Sequence, residues 1–273
     1  MNRIDDPYFS EILQGIEDVS QSAGYSLFVA ASDRDFDQEK GILQAMGERR
    51  VDGLIVCSTD FGENHARQLQ NYDFSVVAVG NQKQEFYQYM VYHDDFSGSQ
   101  QVAKYLVELG HTKIAYLGNE RAPSTTRNRL AGFNHEMKLA NLHVPLDYVF
   151  HAPDGRIQGG IVGGQHFLNL DEIPAAVVCF NDVMAVGVIH AFQQAGLRIP
   201  EDCSVVGFDD IEFAAYTNPS LTTFRQPKYQ LGNMAAQLMM KLLDSNKDKT
   251  IQPEMQFLQG ELVIRKSTSK YGK

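Results

Sequence analysis

The stretch Ile199–Gln226, IPEDCSVVGFDDIEFAAYTNPSLTTFRQ, decides how this chain is read. It opens with a short apolar strand, Ser204–Phe208, which delivers two carboxylates, Asp209 and Asp210, at its C-terminal end. A second strand, Leu221–Arg225, follows a tight turn at Asn218-Pro219. Strands that are apolar throughout, rather than alternating, are buried on both faces, which points to a parallel sheet covered by helices. In open sheets of that kind, ligands sit in the crevice beyond the carboxyl ends of the strands. Adjacent acids at that position act either as a ligand clamp or as a turn cap.

The same rhythm extends outward in both directions. Strand candidates are Leu27–Ala31, Gly53–Cys57, Ser75–Val79, Met90–Tyr92, Ile114–Leu117, Tyr148–His151, Ala175–Phe180, Val205–Phe208 and Leu221–Arg225. Helical spacings lie between them: Phe9, Ile12, Leu13, Ile16 and Val19 share one face, and Val102, Tyr105, Leu106 and Leu109 another, the latter closed by Gly110. The βαβ pattern repeats roughly twice and breaks near Gly110-His111-Thr112, predicting two doubly wound α/β lobes. The tail departs from this rhythm, with an amphipathic helix over Tyr229–Leu243, a polar stretch to Thr250, and extended segments at Met255–Leu258 and Glu261–Arg265. Elements added after two complete lobes tend to join one to each and make both discontinuous. At the other end, the first element is a helix with Asp5 or Asp6 as N-cap and Pro7 near its first turn. A sheet opening on a helix lacks its first strand, so the expectation is that Met1 stands at or just past the end of that strand.

Composition narrows the classes. In 273 residues, 43% hydrophobic content suffices for two cores, and the net charge of −10 disfavours a nucleic-acid or anionic-membrane surface. No apolar run approaches the roughly 20 residues that span a bilayer, and no leader is visible. The three cysteines, Cys57, Cys179 and Cys203, have no CxxC spacing and lie in or beside apolar runs, as buried free thiols of a reducing cytosol do. A zinc site is not expected, nor any other metal or cofactor. Catalytic signatures are missing as well: there is no GxSxG elbow, P-loop or HExxH, so no catalytic residue is assigned. The glycines of Gly159–Gly164 fall within a helical pattern and read as close helix packing rather than a phosphate loop. His111 follows a helix C-terminus, where a cation interacts well with the dipole.

Polar residues recur at strand mouths in both lobes. They are Asp33, Asp94-Asp95, Asn181-Asp182 and Asp209-Asp210, with Arg127 and Arg129 at the start of a helix after Ile114–Leu117. Each Asp or Asn alone reads first as a helix cap; together they point to a cleft. Carboxylates, an amide and an arginine fork hold neutral hydroxyls, and Tyr8 and Phe9 offer an apolar face, with core packing the alternative for Phe9. Apolar walls with a few convergent polar groups describe a small-molecule site suited to a sugar.

With those positions in view, the chain resembles the effector-binding domain of LacI/GalR-family bacterial transcription regulators across essentially its whole length. The resemblance rests on DPYFSEILQGIE (6–17), RRVDGLIV (49–56), LGHTKIAYLG (109–118), RLAGF (129–133), CFNDVMAVG (179–187) and the opening stretch. It implies a periplasmic-binding-protein-like fold of type I, with two Rossmann-like lobes joined by three crossovers near Gly110, Gln226 and Met255. The lobes would then comprise residues 1–110 with 226–254 and 111–225 with 255–273. It also implies an effector between the lobes, contacted by Tyr8, Phe9, Asp33, Asp95, Arg129, Asn181, Asp209 and Gln226. Arg129 and Asp209 lead this set because sugar-binding members hold hydroxyls with an Arg and an Asp at those positions. By the same resemblance the protein is a cytoplasmic homodimer sensing a sugar, or a purine or nucleoside as in a related branch. It would reach operator DNA only through an N-terminal helix-turn-helix headpiece that this sequence does not contain, and it would carry neither cofactor nor membrane anchor. A periplasmic sugar-binding protein of a transport system shares the fold and is the alternative. The regulator reading rests on the wording of Ile199–Gln226 and on the free cysteines. Asp209 is taken as the ligand contact and Asp210 as the cap.

Overall fold

A computed structural model, describing residues 1, 3–57, 69, 71–80, 87–244 and 252–272, resolves the alternation into two parallel-type sheets. In chain order the elements are α1 (Pro7–Ser22), α2 (Phe36–Glu48), β1 (Gly53–Cys57), β2 (Ser75–Val79), β3 (Tyr89–His93), α3 (Asp95–Glu108), β4 (Ile114–Asn119) and α4 (Pro123–Leu139). They continue with β5 (Val149–Ala152), α5 (Ile157–Leu168), β6 (Ala176–Cys179), α6 (Asp182–Gln194), β7 (Ser204–Asp209), β8 (Thr222–Arg225), α7 (Lys228–Asp244), β9 (Glu254–Leu258) and β10 (Glu261–Val263). The polar stretch 245–250 lies outside the described residues.

The contacts divide the chain into two units, Met1–His93 with Pro227–Gln259 and Asp94–Gln226 with Gly260–Lys273. The chain therefore exchanges between units after His93, Gln226 and Gln259, where Gly110, Gln226 and Met255 were expected. Helix α3 groups with the second unit because its apolar face, Val102, Ala103 and Leu106, is buried with Ile114, Tyr116, Phe133 and Phe208. All of β9 stays with the first, in parallel register with β3 from Tyr89↔Glu254 to His93↔Leu258.

In the first unit the described sheet runs β1-β2-β3-β9, every pair parallel. Its two faces bury different residues. Val77 and Val79 of β2 join Ile12 and Ile16 of α1 and Leu231, Ala235 and Leu238 of α7, whereas Ala78 joins Leu43 of α2. Helix α1 starts as its sequence dictates: the Asp6 side chain accepts from the Tyr8 N–H at 3.1 Å, and Pro7 occupies the first turn. Leu27–Ala31, expected as a strand, has no regular secondary structure and belongs to no sheet among the described residues. Leu27, Phe28 and Val29 stay exposed there, because an apolar run becomes a strand only when a neighbour pairs with it.

In the second unit the order is β10-β8-β7-β6-β4-β5, parallel except for the antiparallel β10–β8 pair. Strands β4, β6 and β7 are buried along their full lengths, as their continuous apolar runs require. The glycine-rich segment is α5, and its glycines serve packing: a Cβ at Gly160 would stand 2.1 Å from the Met184 carbonyl oxygen of α6. A similar contact brings α3 and α4 together, since a Cβ on Gly132 would meet the Phe96 carbonyl oxygen at 2.1 Å. Gly132→Ala must push these two helices apart and is expected to destabilise the protein by about 1–3 kcal/mol, read as a lower urea midpoint at unchanged slope. All three cysteines are free and buried, and burial raises the Cys57 thiol to about 11 and Cys179 well above its ordinary value.

Candidate functional site

The carboxyl ends of β4, β6, β7 and β8 in the second unit carry a buried, mutually bonded set of polar side chains. Arg129, on α4 three residues before Gly132, donates from Nε to Oδ1 of Asp95 at 2.8 Å. Its Nη1 donates to the carbonyl of Phe180, and its Nη2 lies 3.9 Å from Oδ1 of Asp209. Two rings flank the guanidinium, with Cζ 3.8 Å from the Phe208 centroid and 4.8 Å from that of Phe180. Gln226 donates from Nε2 to Oδ1 of Asp209 at 2.5 Å. Arg129, Asp95, Asp209 and Gln226 are each at most 6% exposed. Burying a charge this deeply is costly unless partners surround it. Burial is the largest single influence on Arg129 and opposes its charge, but Asp95 and Asp209 together outweigh it and raise its pKa above the ordinary value. With one cation between two carboxylates, the cluster is formally one charge negative.

The local folding that aims these groups is specific. Asp94, not Asp95, caps α3, accepting from the N–H groups of Phe96 and Ser97 at 3.0 and 3.2 Å. That leaves Asp95, in the first turn, to face Arg129. Asn181 does cap α6, its Oδ1 accepting from the Met184 N–H at 2.8 Å, while its Nδ2 donates to the Gly155 carbonyl at 3.0 Å. It adjoins the cluster through Phe180. At the end of β7 the backbone turns sharply, with φ of +121° at Asp209 and +52° at Asp210, values that L-residues rarely adopt. The corner is held from inside by Asp182, a fully buried residue whose carboxylate accepts from the Ile211 N–H at 2.8 Å and from the Thr223 hydroxyl.

Asp210 is not the cap that the sequence reading made it. Its carboxylate pairs with Nε of Arg225 and Nη2 of Arg265, both at 2.7 Å, and Ile211 occupies the N-cap of the short 3-10 turn that follows. Desolvation works to raise its pKa and is the largest single influence, but the two arginines prevail and lower it from its ordinary 3.8. A carboxylate depressed on folding contributes stability that is complete above its unfolded pKa and fades as pH falls through the folded one. The gap in urea midpoint between wild type and Asp210→Asn is therefore expected to be full at pH 6 and to narrow below about pH 4.

The other sequence-derived positions fall elsewhere. Phe9 is 4% exposed in the first unit's core, the packing role that its sequence left open, and the Tyr8 ring meets it edge-on at 5.1 Å. Asp33, also in the first unit, has φ of +46°, and the cap of α2 is Asp35, which accepts from the Gln38 N–H at 2.9 Å. Arg127 is exposed on α4. His111 is buried, its Nε2 2.9 Å from the Ser269 carbonyl, and burial lowers its pKa, which works against the charged role its position suggested. Phe180 and Phe208 were not assigned roles from sequence, and Asp182, counted there among the strand-mouth residues, holds the corner instead of lining a cleft. The signal available for the two rings was position, since each adjoins a polar residue at a strand end. Among the described residues no group of three or more His, Cys, Asp or Glu is placed to hold a metal, and no helix is long and apolar enough to cross a membrane.

Comparison with known proteins agrees with this architecture. Residues 103–268 match the model of a periplasmic binding protein-like domain. The chain is 34% identical, over 97% of its length and 78% of the relative's, to the HTH-type transcriptional repressor PurR of Aliivibrio salmonicida. It is 32% identical to the repressor of the same name from Haemophilus influenzae, over 96% of this chain and 77% of the relative. Among solved structures, the transcription regulator CcpA of Lactococcus lactis superposes with a TM-score of 0.88 at 27% identity, covering 98% of this chain and 97% of that one. A LacI family regulator from Enterococcus faecium, with bound ribose, gives 0.85 at 26% identity, covering 99% and 97%. Identity above 30% along nearly the whole sequence, on the same two-sheet fold, is the mark of common descent: the chain belongs to the LacI family of transcription regulators and forms the effector-binding domain of one.

Proposed function

We propose that this domain senses a neutral, polyhydroxylated molecule, a sugar, held against the polar cluster of the second unit. The observation that carries the reading is the charge balance around Arg129. The guanidinium already has two buried carboxylate partners, so the cluster is net negative and disfavours a phosphorylated or otherwise anionic ligand. Carboxylates and amides instead suit hydroxyl groups that both donate and accept. Arg129 and Asp209 would hold the ligand hydroxyls directly, with Asp95, Asn181 and Gln226 completing the polar wall. Tyr8, Phe9 and Asp33 are retained as ligand contacts on the strength of the family resemblance alone. Ribose bound to the Enterococcus faecium regulator supports a sugar by similarity. In this reading the domain works as a dimer in the cytoplasm, and the effector alters operator binding by a headpiece because it binds the two states of the regulator with different affinity.

Thermal-shift titration of the purified chain with D-ribose, a panel of hexoses, their 6-phosphates, hypoxanthine and guanine tests this. A saturable rise in melting temperature with a free sugar is the expected outcome. A response confined to purines would replace the sugar with a nucleobase, and one confined to sugar phosphates would overturn the charge argument.

A further inference from the structure

Strand β4 ends on an asparagine whose side chain is only half engaged. Asn119 is 5% exposed, and its Oδ1 accepts from the Arg121 N–H at 3.0 Å. That bond fixes which end of the amide is the oxygen. The main chain of Asn119 is held as well: its N–H donates to Oγ1 of Thr126 at 3.1 Å, and its carbonyl accepts from the same hydroxyl at 2.8 Å. Nδ2 is what remains, and among the described residues no group accepts from it. Buried side-chain donors nearly always have a partner, so this one calls for a physical reason.

The register of the sheet sets the amide in line with the polar cluster. β4 and β6 pair with Leu117 opposite Cys179, and β6 and β7 pair with Val178 opposite Val206. Counted on from those pairs, Asn119 stands opposite Asn181, and Asn181 opposite Asp209. The three polar residues form one row across the carboxyl ends of three neighbouring strands, two strand spacings or about 10 Å long. Gly155, in the turn before α5, keeps the approach to the free donor open. A Cβ built there would stand 2.6 Å from Nδ2 of Asn119 and 3.6 Å from Nδ2 of Asn181.

We propose that Asn119 is a further effector-binding residue, its Nδ2 donating to the ligand at the end of the row opposite Asp209. The inference rests on the reading that the effector lies against this polar cluster, and it adds a constraint to that reading. Nδ2 only donates, so the ligand must present an acceptor there, such as a hydroxyl, a ring oxygen or a carbonyl, and an ammonium is rejected. The Asp209 carboxylate only accepts. The row therefore has a direction: the ligand donates at one end and accepts at the other, a span that one monosaccharide covers with its hydrogen bonds.

Isothermal titration with D-ribose, D-glucose and hypoxanthine compares the wild type with Asn119→Ser and Gly155→Ala. Serine keeps an oxygen for the Arg121 N–H, as hydroxyl side chains do in such turns, and withdraws the amide. Alanine at 155 leaves Asn119 in place but covers it, and decides the matter if the serine variant does not fold. Each variant is expected to bind the sugar about 3–10-fold more weakly, the worth of one neutral hydrogen bond. If the wild type binds hypoxanthine alone, the sugar reading falls, and an equal loss for that ligand, whose ring nitrogens and carbonyl accept, upholds the donor. Unchanged affinity in the serine variant would overturn the inference and leave the sugar reading standing. A lower melting temperature at unchanged affinity would mark Asn119 as purely structural. A wild type that binds none of the three would overturn both.

Discussion

Arg129→Met is expected to lower the free energy of unfolding by about 3–5 kcal/mol, the cost of breaking a buried ion pair from one side. Methionine fills much of the space between Phe180 and Phe208, so the loss is electrostatic rather than a cavity effect. Asp95 and Asp209 are left facing one another in a site where the native cation lies 2.8 and 3.9 Å from them. Two such carboxylates resist joint ionisation, which raises the folded-state pKa of the pair. The sign of the pH dependence follows. The penalty is full at neutral pH and lifts as pH falls through the raised folded value, so wild type and variant converge in acid. Urea unfolding at pH 7 and pH 5 measures both quantities. A variant within about 0.5 kcal/mol of wild type at pH 7 would mean that the arginine is dispensable to the fold. On the sugar reading, the same change also weakens effector binding by about 10–100-fold, the worth of a charge-assisted hydrogen bond.

The second large effect is expected at Asp182, the anchor of the corner at Asp209 and Asp210. Asp182→Ala strips the acceptor from two buried donors, the Ile211 N–H and the Thr223 hydroxyl. Each unsatisfied donor costs about 1–3 kcal/mol, giving about 2–6 kcal/mol in total. The corner at Asp209 and Asp210 is held in an unfavourable backbone conformation by this anchor, and strain of that sort persists only while its surroundings enforce it. Releasing the anchor moves Asp209, so effector affinity falls along with stability. Asp182→Asn keeps one acceptor and sets an amide N–H against the other donor, which predicts an intermediate result. Equal stability of the alanine and asparagine variants would show that the two bonds do not hold the corner.

Much of the second unit was legible in advance, because its strands are buried on both faces and their apolar runs are uninterrupted. The reading of the glycines in α5 as packing residues held for the same reason, since a helical pattern with glycine at each close approach has little other use. Two features were not legible. Leu27–Ala31 has the composition of a strand, but pairing is set by neighbours distant in sequence and composition does not report them. The division of labour within acid pairs was also hidden. Asp94 caps while Asp95 faces Arg129, and Asp209 joins the cluster while Asp210 binds two arginines, one of them 55 residues further along the chain. A one-residue difference at a helix start or a strained corner sends neighbouring carboxylates to opposite tasks, and local sequence carries no record of which goes where. The regulator reading itself came from ordered motifs, and it agrees with relatives that are repressors rather than enzymes.

Both units draw on the C-terminal end of the chain: α7 and β9 complete the first, and β10 with the segment after it completes the second. There Ser267 donates to the Val205 carbonyl and Tyr271 N–H to the Leu109 carbonyl. During synthesis on a ribosome, neither unit can therefore close until almost every residue has emerged. Each waits as a partial sheet with an open edge, which is the condition under which nascent proteins aggregate or recruit chaperones. Domains that finish in sequence can fold one after the other; here the two must finish almost together.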